Sequence, residues 1–366
     1  MSKMSLKIKI PFSCGVEYKG RMYLSALDRN ELFQYDWKNN KMQYIASFEK
    51  EDDKEYLYRT AVLYQNEAWF IPNQADNIAI VNLDTYEIQY IPLQYNWIND
   101  VVLLKCASAG IYREHYLYVV PYDIDALSLI NMQTKELEVI NGVSTKNNTY
   151  MGAYFDNGFL YCIPWTAKYI WKINVESKDT QKLKWEYEEK QFSDVIVDEQ
   201  SNEIWLIPTN LNSLVRLDQN CNLVDEQPLE ILKVKEVSKE IKSYYGKMIE
   251  NRIFIFPFNS DKIYAYDIEK KAMTEYDGLM NDDKEIHFIK LIDGNGFFLI
   301  MENTSFIFFY DEKKDCFEKK EIFLESTENY RNMRCEKMDS RLKRKNFVIE
   351  KGIYELDEFL SIVANV

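Results

Sequence analysis

Along most of the chain, short runs of apolar residues alternate with polar letters at period two, and Asn, Asp, Gly or Pro bounds each run. The words "EAWFIPNQADNIAIVNLD" (67–84), "GFLYCIPWTAKYIWKINV" (158–175), "NEIWLIPTNLNSLVRLD" (202–218) and "NRIFIFPFNSDKIYAYD" (251–267) repeat one design. An aromatic and apolar run closes on Pro, a polar interval follows, and an alternating run closes on Asp or Asn. In the unit around Pro72 this pattern predicts four strands: "TAVLYQ" (60–65), "EAWFIPN" (67–73), "NIAIVNLD" (77–84) and "EIQYIPL" (87–93). Proline cannot donate to a sheet ladder, so it is expected to end the second strand, where the chain turns toward the third.

With that Pro as a ruler, Pro72, Pro121, Pro164, Pro208 and Pro257 are spaced by 49, 43, 44 and 49 residues. Met301 and Ser25 extend the frame without the Pro. A second ruler runs through Asp36, Asp84, Asn131, Asn174, Asp218, Asp267 and Asp311. Seven units of about 40 to 50 residues, each with four strands, suit a ring of blades. Helical repeats would show a 3.6-residue period, and solenoid repeats would be shorter.

On repeat length and phase the chain resembles the β-propeller superfamily, most like its kelch-type and other seven-bladed relatives. The kelch double glycine and the Gly-His and Trp-Asp marks of WD repeats are absent. The resemblance implies an all-β, seven-bladed β-propeller of four-stranded antiparallel blades over 12–324, with a lead-in at 1–11 and a short helical C-terminal extension at 325–366. With 11 glycines in 366 residues, Asn and Asp are expected at many tight positions of positive φ.

Composition narrows the function classes. The chain is 46% hydrophobic and 15% aromatic, enough for a large core rich in strand-forming side chains. A formal net charge of −14 argues against a nucleic-acid partner. No run of 18 apolar residues and no leader-like apolar stretch appear, so the expectation is a cytoplasmic protein that does not enter the membrane. Six scattered cysteines and two histidines point to reduced thiols and to no metal site; no motif calls for a cofactor. Oligomeric state is not written in the sequence.

The connections from an outer strand to the next inner strand are long, and the longest (230–245) carries Ile231, Val234, Val237 and Ile241 at helical spacing. A basic segment (327–346) follows the last repeat, read as a solvated helix against acidic blade surface with a nucleic-acid or partner site as the alternative. The amphipathic stretch with Ile353, Leu356, Leu360 and Val363 either docks on the ring or recruits a partner, which is a scaffold role.

In such a ring the loops after the prolines and the loops entering the inner strands share one face, where ligands gather. Ligand-binding candidates there are Arg59, Asn73, Trp97, Tyr122, Tyr150, Trp165, Asn210, Tyr245 and Phe258. Aromatic faces interleaved with amides suit a glycan-like small molecule or a protein partner, although the same letters also serve turns. Starts of inner strands are placed at the channel mouth, and there Asp100 and Asp194, with His287 as shuttle, compose a catalytic alternative of hydrolase or lyase type. The chain lacks a phosphate loop, a nucleophile elbow and a zincin motif. The leading expectation is therefore a non-catalytic binding propeller.

Overall fold

The computed structural model describes residues 7–8, 10–52, 54–98, 105–146, 149–184, 191–198, 201, 203–209, 213–229, 243–257, 262–276, 289–294, 296–301, 306–325, 330 and 333–334. The chain divides into two units: Lys9–Leu324, and a smaller one of Met1–Ile8 with Glu325–Val366. The helical stretches expected at 231–241 and 353–363 lie outside the described residues, as does nearly all of the expected C-terminal extension. No helix of the described residues is long and apolar enough to cross a membrane.

The larger unit is a seven-bladed β-propeller. Its blades occupy 12–47, 58–92, 106–140, 150–184, 192–228, 243–276 and 289–321, each an antiparallel meander of four strands, A to D from the axis outward. Blade 2 is typical: A is Tyr58–Tyr64, B Glu67–Pro72, C Asn77–Asn82 and D Ile88–Pro92. The A strands of neighbouring blades touch all the way round, with Ile289–Gly294 of blade 7 meeting Phe12–Tyr18 of blade 1.

Blades stack face to face, so a B or C strand is buried on both sides. In blade 2, Ala68 and Phe70 pack toward blade 1, whereas Trp69 and Ile71 pack toward blade 3. This is why B and C strands read as near-continuous apolar words, while the outer D strands, such as Thr180–Lys184, are largely exposed. Blades must also thin toward the axis. The fourth residue of the A strand is correspondingly Gly or Ala in five blades (Gly15, Ala61, Ala109, Ala153 and Gly246), while Val195 and Ile292 stand there in blades 5 and 7.

The recurrent proline has a structural partner. Strand B ends on Pro72, Pro121, Pro164, Pro208 and Pro257, each opposite the first residue of strand A, and a β-bulge follows at once in A. The B–C ladder of blade 2 closes at Phe70↔Ala79, before the proline, so the missing N–H breaks no bond of that ladder. The next N–H bonds across the blade end to the residue before strand A: Asn73 to Leu57 O (2.7 Å), Tyr122 to Lys105 O (3.0 Å), Trp165 to Thr149 O (2.9 Å) and Thr209 to Gln191 O (2.9 Å). The loops after strand B and the connections into strand A are thereby held at one end of the blades.

Two markers change. Ala26, not Ser25, pairs with Phe12 as Pro72 pairs with Tyr58. In blade 2, Asn82, not Asp84, is the turn-forming residue: its Oδ1 accepts the N–H groups of Asp84 (3.0 Å) and Thr85 (3.1 Å). From Ala26 to Asp36, Pro72 to Asn82 and Met301 to Asp311, as in the other blades, the interval is then ten residues. Asn131, Asn174 and Asp311 make the same pair of turn bonds, Asp36 and Asp267 make one of them, and Asp218 accepts instead from Asn220 N and Asn222 N.

The Asn and Asp markers thus act as acceptors in the C–D turn rather than as its positive-φ residues. That conformation falls on Asn40, Tyr86, Lys135, Lys178, Lys271 and Asp315, four positions later, and on Cys221, three after Asp218. A left-handed residue with a Cβ costs about 1–2 kcal/mol, which the side-chain bonds of the turn offset.

At the seventh interface Trp37, in the C–D turn of blade 1, packs edge-on against Phe298 (centroids 5.3 Å) and near Phe309 (5.8 Å) of blade 7. Lys320 caps it, its Nζ donating to Trp37 O at 2.6 Å and lying 4.0 Å from the ring centre. Leu324 also pairs in parallel with Met42 on the outer strand of blade 1.

Candidate functional site

On the loop face of blades 1 to 3, buried charges tie successive loops together. Glu51, in the connection from blade 1 to blade 2, accepts from Asp76 N (2.9 Å), Asn77 N (3.0 Å) and Asn77 Nδ2 (2.7 Å). Arg59 occupies the bulge of blade 2, is 3% exposed, and donates from Nε to Ala107 O (2.8 Å) at the bulge of blade 3. Bulging frees a carbonyl from the ladder, and an arginine from the adjacent blade reaches it.

Lys105 sits just before strand A of blade 3 and its side chain is 3% exposed. The ammonium donates to Ala75 O (2.5 Å) and to Asp76 Oδ1 (2.6 Å), whose carboxylate is 68% exposed. That hydrogen bond holds the Asp76 pKa below its ordinary value. The same ammonium lies 5.3 Å from the Tyr95 ring centre and 5.6 Å from that of Trp97.

Tyr95 and Trp97 form an edge-to-face pair (5.0 Å, 73°), and Trp97 remains 46% exposed. Their segment is pinned to the B–C loop of blade 3. Asn96 N and Nδ2 donate to the Asp125 carboxylate (2.8 and 3.1 Å), Asp125 N donates to Asn96 O (3.1 Å), and Ile98 N donates to Asp123 O (3.1 Å). A bridge between Trp97 and Ile124 completes the ledge.

The structure brings Arg59 and Trp97 to the boundary of blades 2 and 3, and places Asn73 after strand B of blade 2, its N–H on Leu57 O. Asn73 is 1% exposed and its carboxamide finds no hydrogen-bond partner among the described residues. Tyr122 and Trp165 are half-buried against the shared core of blades 3 and 4. Tyr150 is fully buried, its hydroxyl donating to Tyr169 O at 3.3 Å.

Across the ring, Asp194 accepts from Gly246 N (3.0 Å), stitching the inner strands of blades 5 and 6, and Tyr245 packs against the core of blades 6 and 7. Asp100, Asn210, Phe258 and His287 lie outside the described residues.

Sequence reasoning missed Tyr95, Lys105 and Asp76. Tyr95 was legible as the alternate partner of Trp97 in "YNWIND". The pairing of Lys105 with Asp76 spans 29 positions and had no local signal. Among the described residues no group of three or more His, Cys, Asp or Glu converges as a metal site.

No protein-family model matches the chain, and no curated protein matches it by sequence. Solved structures do. Virginiamycin B lyase from Staphylococcus aureus is similar at 13% identity and a TM-score of 0.61, over 81% of this chain and 95% of that one. A streptogramin B lyase is similar at 10% and 0.62, over 81% and 94%. Hsv2 from Kluyveromyces lactis follows at 11% and 0.51, over 86% and 99%. At these identities the likeness concerns the propeller fold alone.

Proposed function

We propose that this propeller is a non-catalytic binding protein of the cytoplasm that holds a glycan-like ligand or a partner protein on its loop face. The observation that carries the reading is a division of labour at blades 2 and 3. The charged groups of Glu51, Arg59 and Lys105 are engaged on neighbouring loops and blades, while the aromatic Trp97 is held in place and left exposed. Rigid support under an exposed aromatic is the arrangement of a binding surface. Cys14, Cys106, Cys162, Cys221 and Cys316 form no disulfide with one another, which supports a reducing compartment.

A second reading is a hydrolase or lyase working at the channel mouth; two of the proteins that share the fold are named as lyases. Against it stands the engagement of Asp194 by the Gly246 amide, which commits that carboxylate to joining blades. A glycan and metabolite array probed with the wild-type chain, and with Trp97, Tyr122, Trp165 and Phe258 replaced together by Ala, tests the first reading. The expected result is a hit that the variant loses while still melting cooperatively. A hit retained at unchanged affinity places binding elsewhere, and turnover of the captured compound favours the enzyme.

A further inference from the structure

We infer that the ledge formed by Tyr95 and Trp97 above Lys105, edged by Asp76 and Gln74, is a binding site for an uncharged saccharide. The inference rests on reading the loop face as a binding surface, and gives that surface a place and a ligand class. Three physical features converge on it.

The first is shape. Trp97 presents a flat apolar surface, and the bonds of Asn96 and Ile98 to the blade 3 loop fix it before any ligand arrives. A sugar ring has an apolar C–H face that matches an indole in the way other flat apolar groups do. Since the platform is already ordered, little conformational entropy is lost when it is covered.

The second is charge. The Lys105 ammonium lies against both rings and pairs with Asp76, so the ledge combines one positive and one negative group. A cationic ligand stacked on these rings would meet an ammonium already using them. An anionic ligand would meet the exposed Asp76 carboxylate. An uncharged ligand encounters neither penalty.

The third is hydrogen bonding. Lys105 engages Asp76 through Oδ1, and the carboxylate is 68% exposed, which leaves acceptor capacity for a hydroxyl. Gln74, half-buried, places its backbone carbonyl 3.5 Å from the Lys105 ammonium, and its side chain brings an amide donor and acceptor to the same loop. A stacking face beside a carboxylate and an amide satisfies both the C–H surface and the hydroxyls of a sugar.

Isothermal titration of the full chain with maltotriose, mannotriose, xylotriose and N-acetylchitotriose, against trigalacturonate and the deacetylated chitosan trimer, tests the assignment. At least one uncharged trisaccharide should bind with a dissociation constant of about 1 mM or tighter. Trp97→Ala should weaken it at least about tenfold and Asp76→Asn at least about threefold, with melting curves close to wild type. Val224→Ser, at an exposed apolar position of blade 5, should bind like wild type.

Preference for either charged trimer, no binding of any uncharged one, or equal binding by Trp97→Ala overturns the ledge assignment. An array ligand retained by Trp97→Ala but lost on replacing Tyr122 and Trp165 would overturn the ledge and leave the binding propeller standing. Absence of any array ligand would remove both.

Discussion

Arg252 of blade 6 donates to Asp315 of blade 7 at 2.8 Å, and the same carboxylate oxygen accepts from the hydroxyls of Tyr276 and Tyr310, each at 2.6 Å. Burial pushes this carboxyl up, but the two hydroxyls and the guanidinium outweigh it and hold its pKa at about 2. A carboxyl whose folded-state pKa is depressed contributes stability above its unfolded value of 3.8, and loses it as pH falls from there through about 2. Asp315→Asn should therefore lower the urea midpoint at neutral pH and flatten its decline across that acid window. The side chain is 53% exposed, so solvent screening limits the neutral-pH loss to about 1 kcal/mol. An unchanged acid limb in the variant would remove Asp315 as its cause.

The Arg252–Asp315 pair has counterparts at the turn end of other blades, where a C–D turn is fastened to the blade before it. Lys19 meets Asp84 (2.9 Å), Glu67 meets Lys135 (2.6 Å) and Arg113 meets Glu176 (2.8 Å). The cation comes from the earlier blade in three of these four pairs and from the later blade in Glu67–Lys135. Asn82, by contrast, bonds within its own turn. Asn82→Ala should cost about 1–2 kcal/mol, from two lost side-chain bonds and an exposed positive φ at Tyr86. Asp84→Ala should cost less, and in high salt almost nothing. Chemical denaturation at low and high salt separates the two.

This contrast shows what the sequence could disclose. Repeat length, strand number and the end of strand B at Pro72 are local properties of backbone chemistry, and all were legible. Choosing Asp84 over Asn82 failed because both residues are turn formers and only the geometry of their N–H bonds ranks them. The Tyr95–Trp97 ledge was half legible: the exposed aromatic stood out, but nothing local showed that Lys105, eight positions later in the same connection, lies beneath it and pairs with Asp76 on a loop 29 positions away. Interactions between blades carry no fixed spacing, so the channel-mouth set mixed residues such as Tyr150, which is core, with Arg59, which links two bulges.

Gly110 is needed for a contact its own letter does not reveal. A Cβ there would lie 2.5 Å from the Tyr118 hydroxyl, which crosses to blade 4 and donates to Ala153 O at 2.8 Å. Gly110→Ala should destabilise by about 1–3 kcal/mol through overpacking and loss of that bond. Thermal unfolding would register it as a lowered midpoint, and a neutral result would mean that the inner strand can shift outward.

Ring closure should be sensitive to aromatic truncation. Trp37→Ala removes the ring that blade 1 places against Phe298 and Phe309, and leaves the Lys320 ammonium without its aromatic face. The expected loss is about 2–4 kcal/mol, below that of a fully buried tryptophan because Trp37 is only half-buried. Limited proteolysis should then cut first at blades 1 and 7, whereas initial cutting elsewhere would show that Leu324 against Met42 suffices to close the ring.

Lys105 and Asp76 form one ion pair with unequal surroundings, and the asymmetry decides which substitution matters. Lys105 is buried and also satisfies the Ala75 carbonyl; Asp76 is mostly in water. Lys105→Met leaves a buried carbonyl unpaired, at a cost of about 2–3 kcal/mol, and returns the Asp76 pKa toward its ordinary value. Asp76→Asn keeps an acceptor for the ammonium and lets Lys105 hold its carbonyl, so about 1 kcal/mol is expected. The depressed Asp76 pKa adds a pH signature: its contribution is complete above the unfolded value of 3.8 and is lost as pH falls through the lower folded value. A double-mutant cycle read by urea unfolding at pH 7 should give a much larger effect for Lys105→Met than for Asp76→Asn. Equal effects would mean that the pair itself, rather than the burial of its cation, holds the blade 2 loop to blade 3.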